Sequence, residues 1–172
     1  MHDENLKRHT DVHCHVAALP TKENGCLLSK RMRNSPLARL ISWTQDLPMD
    51  DAEVANARYL AKLTQTLAGS ARVARAVALA MDGAYDAECR LDETHTDFLI
   101  SNDFVLDACA RHPELLPGVS INPMRRDALD ELERCAERGA VLVKLLPNAQ
   151  VFNPGEPKHK KFWRRLGELG IP

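Results

Sequence analysis

The stretch Ala74-Arg75-Ala76-Val77-Ala78-Leu79-Ala80-Met81 decides the fold, because it is a nearly unbroken run of small and apolar residues. A strand that is covered on one face alternates apolar and polar residues, whereas a strand of a parallel sheet is buried on both faces and is apolar throughout. Residues 74–81 are therefore predicted to form a buried strand of a parallel sheet.

Strand and helix patterns alternate along the rest of the chain. Further strands are predicted at 10–15, 116–121 and 140–146, and helices at 51–67, 102–111, 127–138 and 158–169. This alternation favours a parallel α/β sheet with covering helices. The two longest connections, 16–50 and 82–97, follow the first and second strands, and the first contains an extra helix from Pro36. Ligand sites of parallel α/β folds lie at these carboxyl ends of the strands, so function is expected there.

The composition is that of one ordinary domain, residues 1–172, with a formal net charge of -1. A charge so close to zero gives no field that attracts nucleic acid or an anionic membrane, and neither is expected as a partner. The start of the chain lacks the apolar run of a signal peptide, and no apolar stretch is long enough to span a membrane. The five cysteines form no C-x-x-C pair, and we expect reduced thiols in a cytoplasmic protein.

The first predicted strand ends in Asp11-Val12-His13-Cys14-His15, which contains a His-x-His pair. Alternate residues of a strand share a face, so His13 and His15 are about 7 Å apart on one side and Cys14 points the other way. Both imidazoles can then turn toward one cation at a Zn–N distance of about 2.0–2.1 Å. The alternative is a pair of polar residues at an exposed strand end.

Lys144 interrupts the apolar run Val141-Leu142-Val143-Lys144-Leu145-Leu146. A buried ammonium group is costly unless it is paired, so Lys144 either has a role in the site or forms an ion pair with a carboxylate such as Asp11. Asp11 shares a face with the two histidines. It is expected either to orient a metal-binding imidazole, or to be a buried carboxylate paired with Lys144 or with backbone N–H groups.

Other polar residues end the predicted strands. Asp82 and Asn122 end the second and third strands, and Asn148 follows the fourth. Each is a candidate for substrate binding, and a turn or helix-capping role explains each of them nearly as well. Outside the strand ends, the basic run that contains His159 is expected to be a solvated face, and Trp43 and Trp163 are expected to be packing residues rather than cofactor platforms.

Several of these stretches resemble the amidohydrolase-related metal-dependent hydrolases, a group that includes the aminocarboxymuconate-semialdehyde decarboxylase-like enzymes. The resemblance runs from Asp11 to the end, and its most specific parts are the first-strand motif and the fourth-strand segment. The matching stretches are Asp11-Val12-His13-Cys14-His15, Ala78-Leu79-Ala80-Met81-Asp82-Gly83, Arg111-His112-Pro113-Glu114-Leu115-Leu116-Pro117-Gly118, Ser120-Ile121-Asn122-Pro123 and Val143-Lys144-Leu145-Leu146-Pro147-Asn148.

The resemblance implies a TIM (β/α)8 barrel that holds a divalent metal ion, usually zinc, at its carboxyl-terminal mouth. The first-strand histidines of the family are metal ligands, and this role carries over to His13 and His15. Some members carry a carbamylated lysine on the fourth strand that bridges two metal ions. Lys144 matches that position, although the decarboxylase-like branch usually holds one metal ion without such a lysine.

One departure from the family pattern is large. Four strand–helix units are present, whereas the barrel has eight and takes roughly 250 residues. The chain is therefore expected to be the N-terminal half of such a barrel, from a shortened reading frame or a split protein. The family's later ligands, a histidine on the fifth strand and an aspartate on the eighth, have no counterpart in it.

These observations leave two functions open. The first is a metal-dependent hydrolase that cleaves an amide, ester or lactone bond of a small molecule through an activated water, or a non-oxidative decarboxylase of the same family; this chain alone would have little activity. The second is a non-catalytic half-barrel that associates through its edge strands with a second copy or with a missing C-terminal half. An open flavodoxin-like sheet is a third possibility for the fold, although no glycine-rich phosphate loop follows the first strand.

Overall fold

Four parallel strands form the centre of the structure. The computed structural model describes residues 9–172. These strands are β1 (His9–His15), β3 (Val73–Leu79), β5 (Leu115–Val119) and β6 (Leu142–Val143). They form a sheet of the order β1-β3-β5-β6, in which every neighbouring pair is parallel.

Helices connect these strands and cover one face of the sheet. They are α1 (Lys30–Arg33), α2 (Pro36–Gln45), α3 (Ala52–Gly69), α4 (Asn102–Arg111), α5 (Ala128–Glu137) and α6 (Lys160–Glu168). Side chains that accept a backbone N–H start three of the longer helices, namely Ser35, Asp51 and Ser101. None of the helices in the described part of the chain is both long and apolar enough to cross a bilayer.

The strand order decides between the two α/β folds considered above. Each strand of the main sheet pairs with the next strand of that sheet along the chain, so the order never reverses. A flavodoxin-like sheet reverses its order beside the first strand, and that alternative is therefore wrong. The α/β architecture is that of four consecutive β/α units of a partial TIM barrel, and the prediction of a parallel sheet with covering helices is confirmed.

The core lies between the sheet and the helices. Ala76, Ala78 and Ala80 point from β3 and its end toward α3 and α4, where they pack with Leu60 and Val105. These small side chains let the helices come close to the sheet, as a parallel α/β layer requires. A second cluster joins β5 and its end to α5 and α6, through Val119, Ile121, Leu132 and Phe162.

The opposite face of the sheet is concave. A Cβ atom added to Gly118 would lie 2.7 Å from side-chain carbons of both Val77 and Leu79, and 3.2 Å from Leu142. Side chains from both neighbouring strands therefore converge over this glycine. Any larger residue there would force the strands apart, so Gly118 permits the curvature that a barrel wall needs.

The two long connections contact each other, which the sequence did not reveal. β2 (Leu27–Leu28) lies in the connection after β1, and it pairs antiparallel with β4 (Phe98–Leu99), which follows the connection after β3. The backbones of Met81 and Ile100 also exchange hydrogen bonds of 2.8 and 3.0 Å. These contacts fix both connections above the carboxyl ends of β1 and β3.

Two side-chain environments differ from the sequence-based expectations. His159 is buried, although its neighbours are basic, because its ring packs edge-on against Phe152 and Trp163. Trp43 is 81% exposed, because α2 has no buried residue and turns this side chain to solvent. The prediction of a solvated His159 and the prediction of a packed Trp43 are both wrong.

Candidate metal centre at the strand ends

The histidine pair at the end of β1 is the centre of the candidate site. The Nε2 atoms of His13 and His15 are 2.8 Å apart, and the ring centroids are 4.8 Å apart. One imidazole therefore donates a hydrogen bond to the other. Both side chains are exposed, and neither is sealed beneath a helix. The two rings thus turn their Nε2 atoms toward one point, as the His-x-His spacing predicted.

A bulge in β1 helps to aim these rings. Asp11 lies opposite Ala76 and Cys14 lies opposite Ala78, so three steps along β1 match two steps along β3. The irregularity includes His13, whose backbone N–H donates instead to the Asp11 carboxylate at 2.9 Å. Bulges of this kind redirect side chains next to functional sites. Strict strand alternation does not predict the bulge.

Asp11 therefore has a backbone partner rather than an imidazole partner. Its side chain is exposed, so the expectation of a buried carboxylate is wrong, and no ion pair joins it to Lys144 among residues 9–172. Of the alternatives for Asp11, the contact with a backbone N–H is the one that the structure contains. Its role toward a metal-binding imidazole stays a prediction.

The backbone of the pair is anchored from the helix side. The hydroxyl group of Tyr59 on α3 donates to the carbonyl oxygen of His15 at 3.0 Å. Cys14, between the two histidines, points to the opposite face and packs against the core below α3. Burial, with a contribution from Asp11, raises the pKa of the Cys14 thiol. This sulfur is thus directed away from the histidines, as strand alternation predicted for Cys14.

Lys144 approaches the pair from the other side of the concave face. It follows β6 directly, and its backbone N–H donates to Val119 at 2.7 Å, which continues the strand ladder by one residue. The ammonium nitrogen Nζ is 3.5 Å from Nδ1 of His15 and 4.0 Å from the sulfur of Met81. The sheet therefore brings together residues that are 129 positions apart in the sequence.

The electrostatics of the cluster favour the neutral form of His15. Burial lowers the pKa of His15, and the positive charges of Lys144 and His13 lower it further. Burial also lowers the pKa of Lys144, which has no carboxylate partner in the described part of the chain. Neutral imidazoles are the form that binds a metal ion. The pKa of His15 is thus shifted in the direction that metal binding requires.

No complete metal site is present within residues 9–172. No group of three or more histidine, cysteine, aspartate or glutamate side chains is close enough together there to hold an ion. A catalytic zinc site uses three protein ligands and an open position. The two histidine nitrogens of this cluster are fewer than the three protein ligands of such a site.

Asp82 takes part in a buried hydrogen-bond network beside this cluster. Its carboxylate accepts from the backbone N–H groups of Gly83 and Asn122 at 2.8 and 2.7 Å, and from the Tyr85 hydroxyl at 3.1 Å. The Arg125 guanidinium lies 3.6 Å away. Burial raises the pKa of Asp82, although Arg125 and the hydrogen bonds counteract this effect. The carboxylate therefore joins the loops that follow β3 and β5.

Asn122 is fully buried in the same network. Its side-chain amide donates to the carbonyl oxygens of Gly83 and Gln150 at 3.0 and 2.8 Å, and its carbonyl accepts from Met124. Gln150 in turn accepts from the backbone of Leu146 at 2.7 Å. Asp82 and Asn122 thus use their polar atoms within the fold, as the alternative of a turn role implied. Their contact with substrate stays a prediction.

Asn148 is the third candidate for substrate binding, and it differs from the other two. It lies exposed in the turn that follows β6, and its side chain has no hydrogen bond within the described residues. It is free to reach a ligand.

Sequence reasoning missed Tyr85, Arg125 and Gln150, because each lies in a polar loop that has no motif and meets the network only through the fold.

Comparison with known proteins agrees with this arrangement at the level of the family. No curated protein and no solved structure matched the chain. One family model, described as Amidohydrolase, matches residues 10–172. The match includes the His-x-His pair of β1, all four parallel strands and Lys144. Because nearly the whole sequence fits this model, the chain belongs to the amidohydrolase family.

Proposed function

We propose that the chain forms part of a metal-dependent hydrolase that acts on an amide, ester or lactone bond of a small molecule, with zinc as the expected ion. The observation that carries this proposal is the 2.8 Å separation of the Nε2 atoms of His13 and His15 at the carboxyl end of β1. Family membership supports the same class of chemistry at the coarser level of a hydrolase or a decarboxylase.

The geometry of the histidine pair fits a zinc ion with a small adjustment. Two nitrogen ligands at about 2.0–2.1 Å from a tetrahedral ion are about 3.3 Å apart. The Nε2 atoms would therefore have to separate by about 0.5 Å from their 2.8 Å contact. Both rings are exposed and free to rotate by this amount. In the bound state, the ion would take the position of the proton that the two imidazoles share.

Each residue of the cluster has a role in this proposal. A bound zinc ion would supply Lewis acidity and lower the pKa of its water to about 7. His13 and His15 hold the ion, and Asp11 and Tyr59 fix the backbone from which they project. The Lys144 amine, 3.5 Å from His15, is near enough to bind an electronegative atom of the substrate. The remaining ligand and the general base would come from residues other than those described.

A titration with zinc tests the metal-binding step. We expect one bound zinc ion per chain in isothermal titration calorimetry, and a zinc affinity at least tenfold lower in His13→Gln and in His15→Gln. His95→Gln is the matched control, because His95 is an exposed histidine in a loop and pairs with Asp92. Binding that is unchanged in both single variants would refute the proposed centre.

A second measurement tests whether the chain is sufficient for catalysis. Because residues 9–172 offer two candidate ligands rather than three, we expect little turnover of generic esters and lactones when zinc is added. Turnover comparable to that of a complete family enzyme would contradict the view that further ligands are required.

A non-oxidative decarboxylase of the same family is the second candidate. The observation in its favour is Lys144, a cation beside His15 that has no carboxylate partner within residues 9–172. Such an amine suits a carboxylate-bearing substrate. Release of carbon dioxide from aromatic carboxylates, absent in Lys144→Met, would favour this candidate over hydrolysis.

Association with a partner is a separate proposal. β1 pairs only with β3, and its other edge is open in the described structure. An unpaired edge is a template for another strand, from a second copy or from a complementary C-terminal half. Sedimentation of the purified chain tests this idea: a dimer is expected, and a monodisperse monomer would count against self-association.

A further inference from the structure

A cavity of about 250 Å³ lies beneath α2, and we call it the α2 cavity. Its walls are α2, the segment that follows β1, the first half of α3, and Phe98 of β4. The lining is almost entirely apolar, with Ala18 from the segment after β1, Leu37 and Ile41 from α2, and Phe98 from β4. The cavity thus lies inside the long connection that leaves the carboxyl end of β1.

The polar side chains that reach the α2 cavity are already paired. Ser42 donates to the carbonyl of Leu47 at 2.8 Å, and Asn56 bonds both backbone groups of Leu19. Tyr59 uses its hydroxyl for His15. A ligand in the cavity would therefore meet apolar walls and no unpaired polar side chain. Such a site favours an uncharged hydrocarbon group over a polar one.

Helix α2 covers the cavity without filling it. None of its residues is buried, and Leu37 and Ile41 remain 58% and 40% exposed. Polar contacts hold the end of the helix in place: Arg58 on α3 donates to Asp46 at 2.7 and 2.8 Å, and Lys62 donates to Gln45. The C-terminal end of α2 is thus attached to α3, while the apolar side chains of α2 leave the space beneath the helix open.

The size of the cavity indicates what it can hold. A dry cavity of about 150 Å³ lined by aliphatic and aromatic side chains binds benzene, so six carbon atoms fit that volume. In proportion, 250 Å³ takes about ten carbon atoms, such as a bicyclic ring or a medium-length alkyl chain.

The α2 cavity lies close to the backbone that carries the candidate metal centre. Ala17, which lines the cavity, is two residues after His15, a distance of about 7 Å in extended chain. Tyr59 lines the cavity and bonds the backbone of His15. We propose that the α2 cavity binds the apolar part of the substrate while the bond to be broken lies at His13 and His15; its role as a substrate site rests on the proposed function.

A binding experiment on the whole chain tests this proposal without requiring catalysis. The probes are indole and octan-1-ol, which are uncharged and have nine non-hydrogen atoms each. We expect both to bind in calorimetry with a negative heat-capacity change, the mark of apolar burial. Ala38→Phe places a ring inside the cavity and should weaken binding at least tenfold. Leu40→Phe adds a ring to the same helix outside the cavity lining and should change the affinity less than twofold.

The outcomes separate this proposal from the metal centre. Absence of binding by both probes, or equal binding in Ala38→Phe and the unsubstituted chain, would overturn the proposal. Far-ultraviolet circular dichroism checks that each variant folds, and Ala17→Leu, from the opposite wall, replaces Ala38→Phe if that variant does not. A zinc titration of the same samples reports on His13 and His15. Zinc binding without probe binding would overturn only the cavity proposal, and probe binding without zinc binding would overturn the metal centre and leave the cavity as a ligand site.

Discussion

Replacing Asn122 by alanine should strongly destabilise the fold. The side chain is fully buried, and it donates to the carbonyl oxygens of Gly83 and Gln150 and accepts from the backbone of Met124. The substitution would leave two buried carbonyl groups without a partner, at about 1–3 kcal/mol each. We therefore expect the free energy of unfolding to fall by about 4 kcal/mol, a large share of the roughly 5–15 kcal/mol that is typical of a domain.

Urea unfolding followed by circular dichroism at 222 nm measures this loss. The midpoint should fall while the slope with denaturant stays constant, because the surface exposed on unfolding hardly changes. Asn148→Ala is the matched control: this asparagine is exposed and has no side-chain hydrogen bond within the described residues, so its replacement should change stability by less than about 0.5 kcal/mol. A loss below about 1 kcal/mol for Asn122→Ala would show that the network does not hold the loops together.

Three further predictions concern other parts of the molecule. Gly118→Ala should lower the free energy of unfolding by about 1–3 kcal/mol because of its 2.7 Å contacts, whereas Gly167→Ala, in open space on α6, should raise it by about 0.5–1 kcal/mol; urea unfolding of both checks this. Burial raises the pKa of Glu131, but hydrogen bonds from Arg134 and Asn102 outweigh burial and lower the pKa below 4.5. Because the pKa of this carboxyl group is lower in the folded chain than in the unfolded chain, the group stabilises the fold at pH values above its unfolded pKa, and this stabilisation is lost as the pH falls through its folded pKa. Glu131→Gln should therefore lose less stability below pH 4.5 than the unsubstituted chain. Identical acid unfolding profiles of the two proteins would contradict this prediction. Tyr59→Phe removes the hydrogen bond to His15, so it should cost about 1 kcal/mol of stability and weaken zinc binding severalfold in calorimetry, and unchanged zinc affinity would argue against a positioning role.

Local patterns were enough to predict the architecture. The apolar run around Val77 indicated a strand buried on both faces, and the alternation with helices indicated the parallel sheet. The His-x-His spacing likewise predicted that two rings would meet on one side of a strand. These features depend on periodicities of two residues in strands and 3.6 residues in helices, which can be read from the order of residues in the sequence.

Residues distant in the sequence could be assigned only from the tertiary structure. The contact of Lys144 with His15 depends on the order and register of four strands, and the hydrogen bond from the backbone N–H of His13 to the Asp11 carboxylate depends on a bulge. His159 was expected in water from its basic neighbours, yet packing of two aromatic rings buries it.

The sequence by itself determined the class of fold, the family and the pair of histidines, because each is written in the spacing of neighbouring residues. The tertiary structure decided which polar residues form hydrogen bonds within the fold, how the two long connections pair with each other, and where α2 leaves a cavity. Such features depend on side-chain packing between segments far apart in the chain, and the sum of many weak contacts has no local signature.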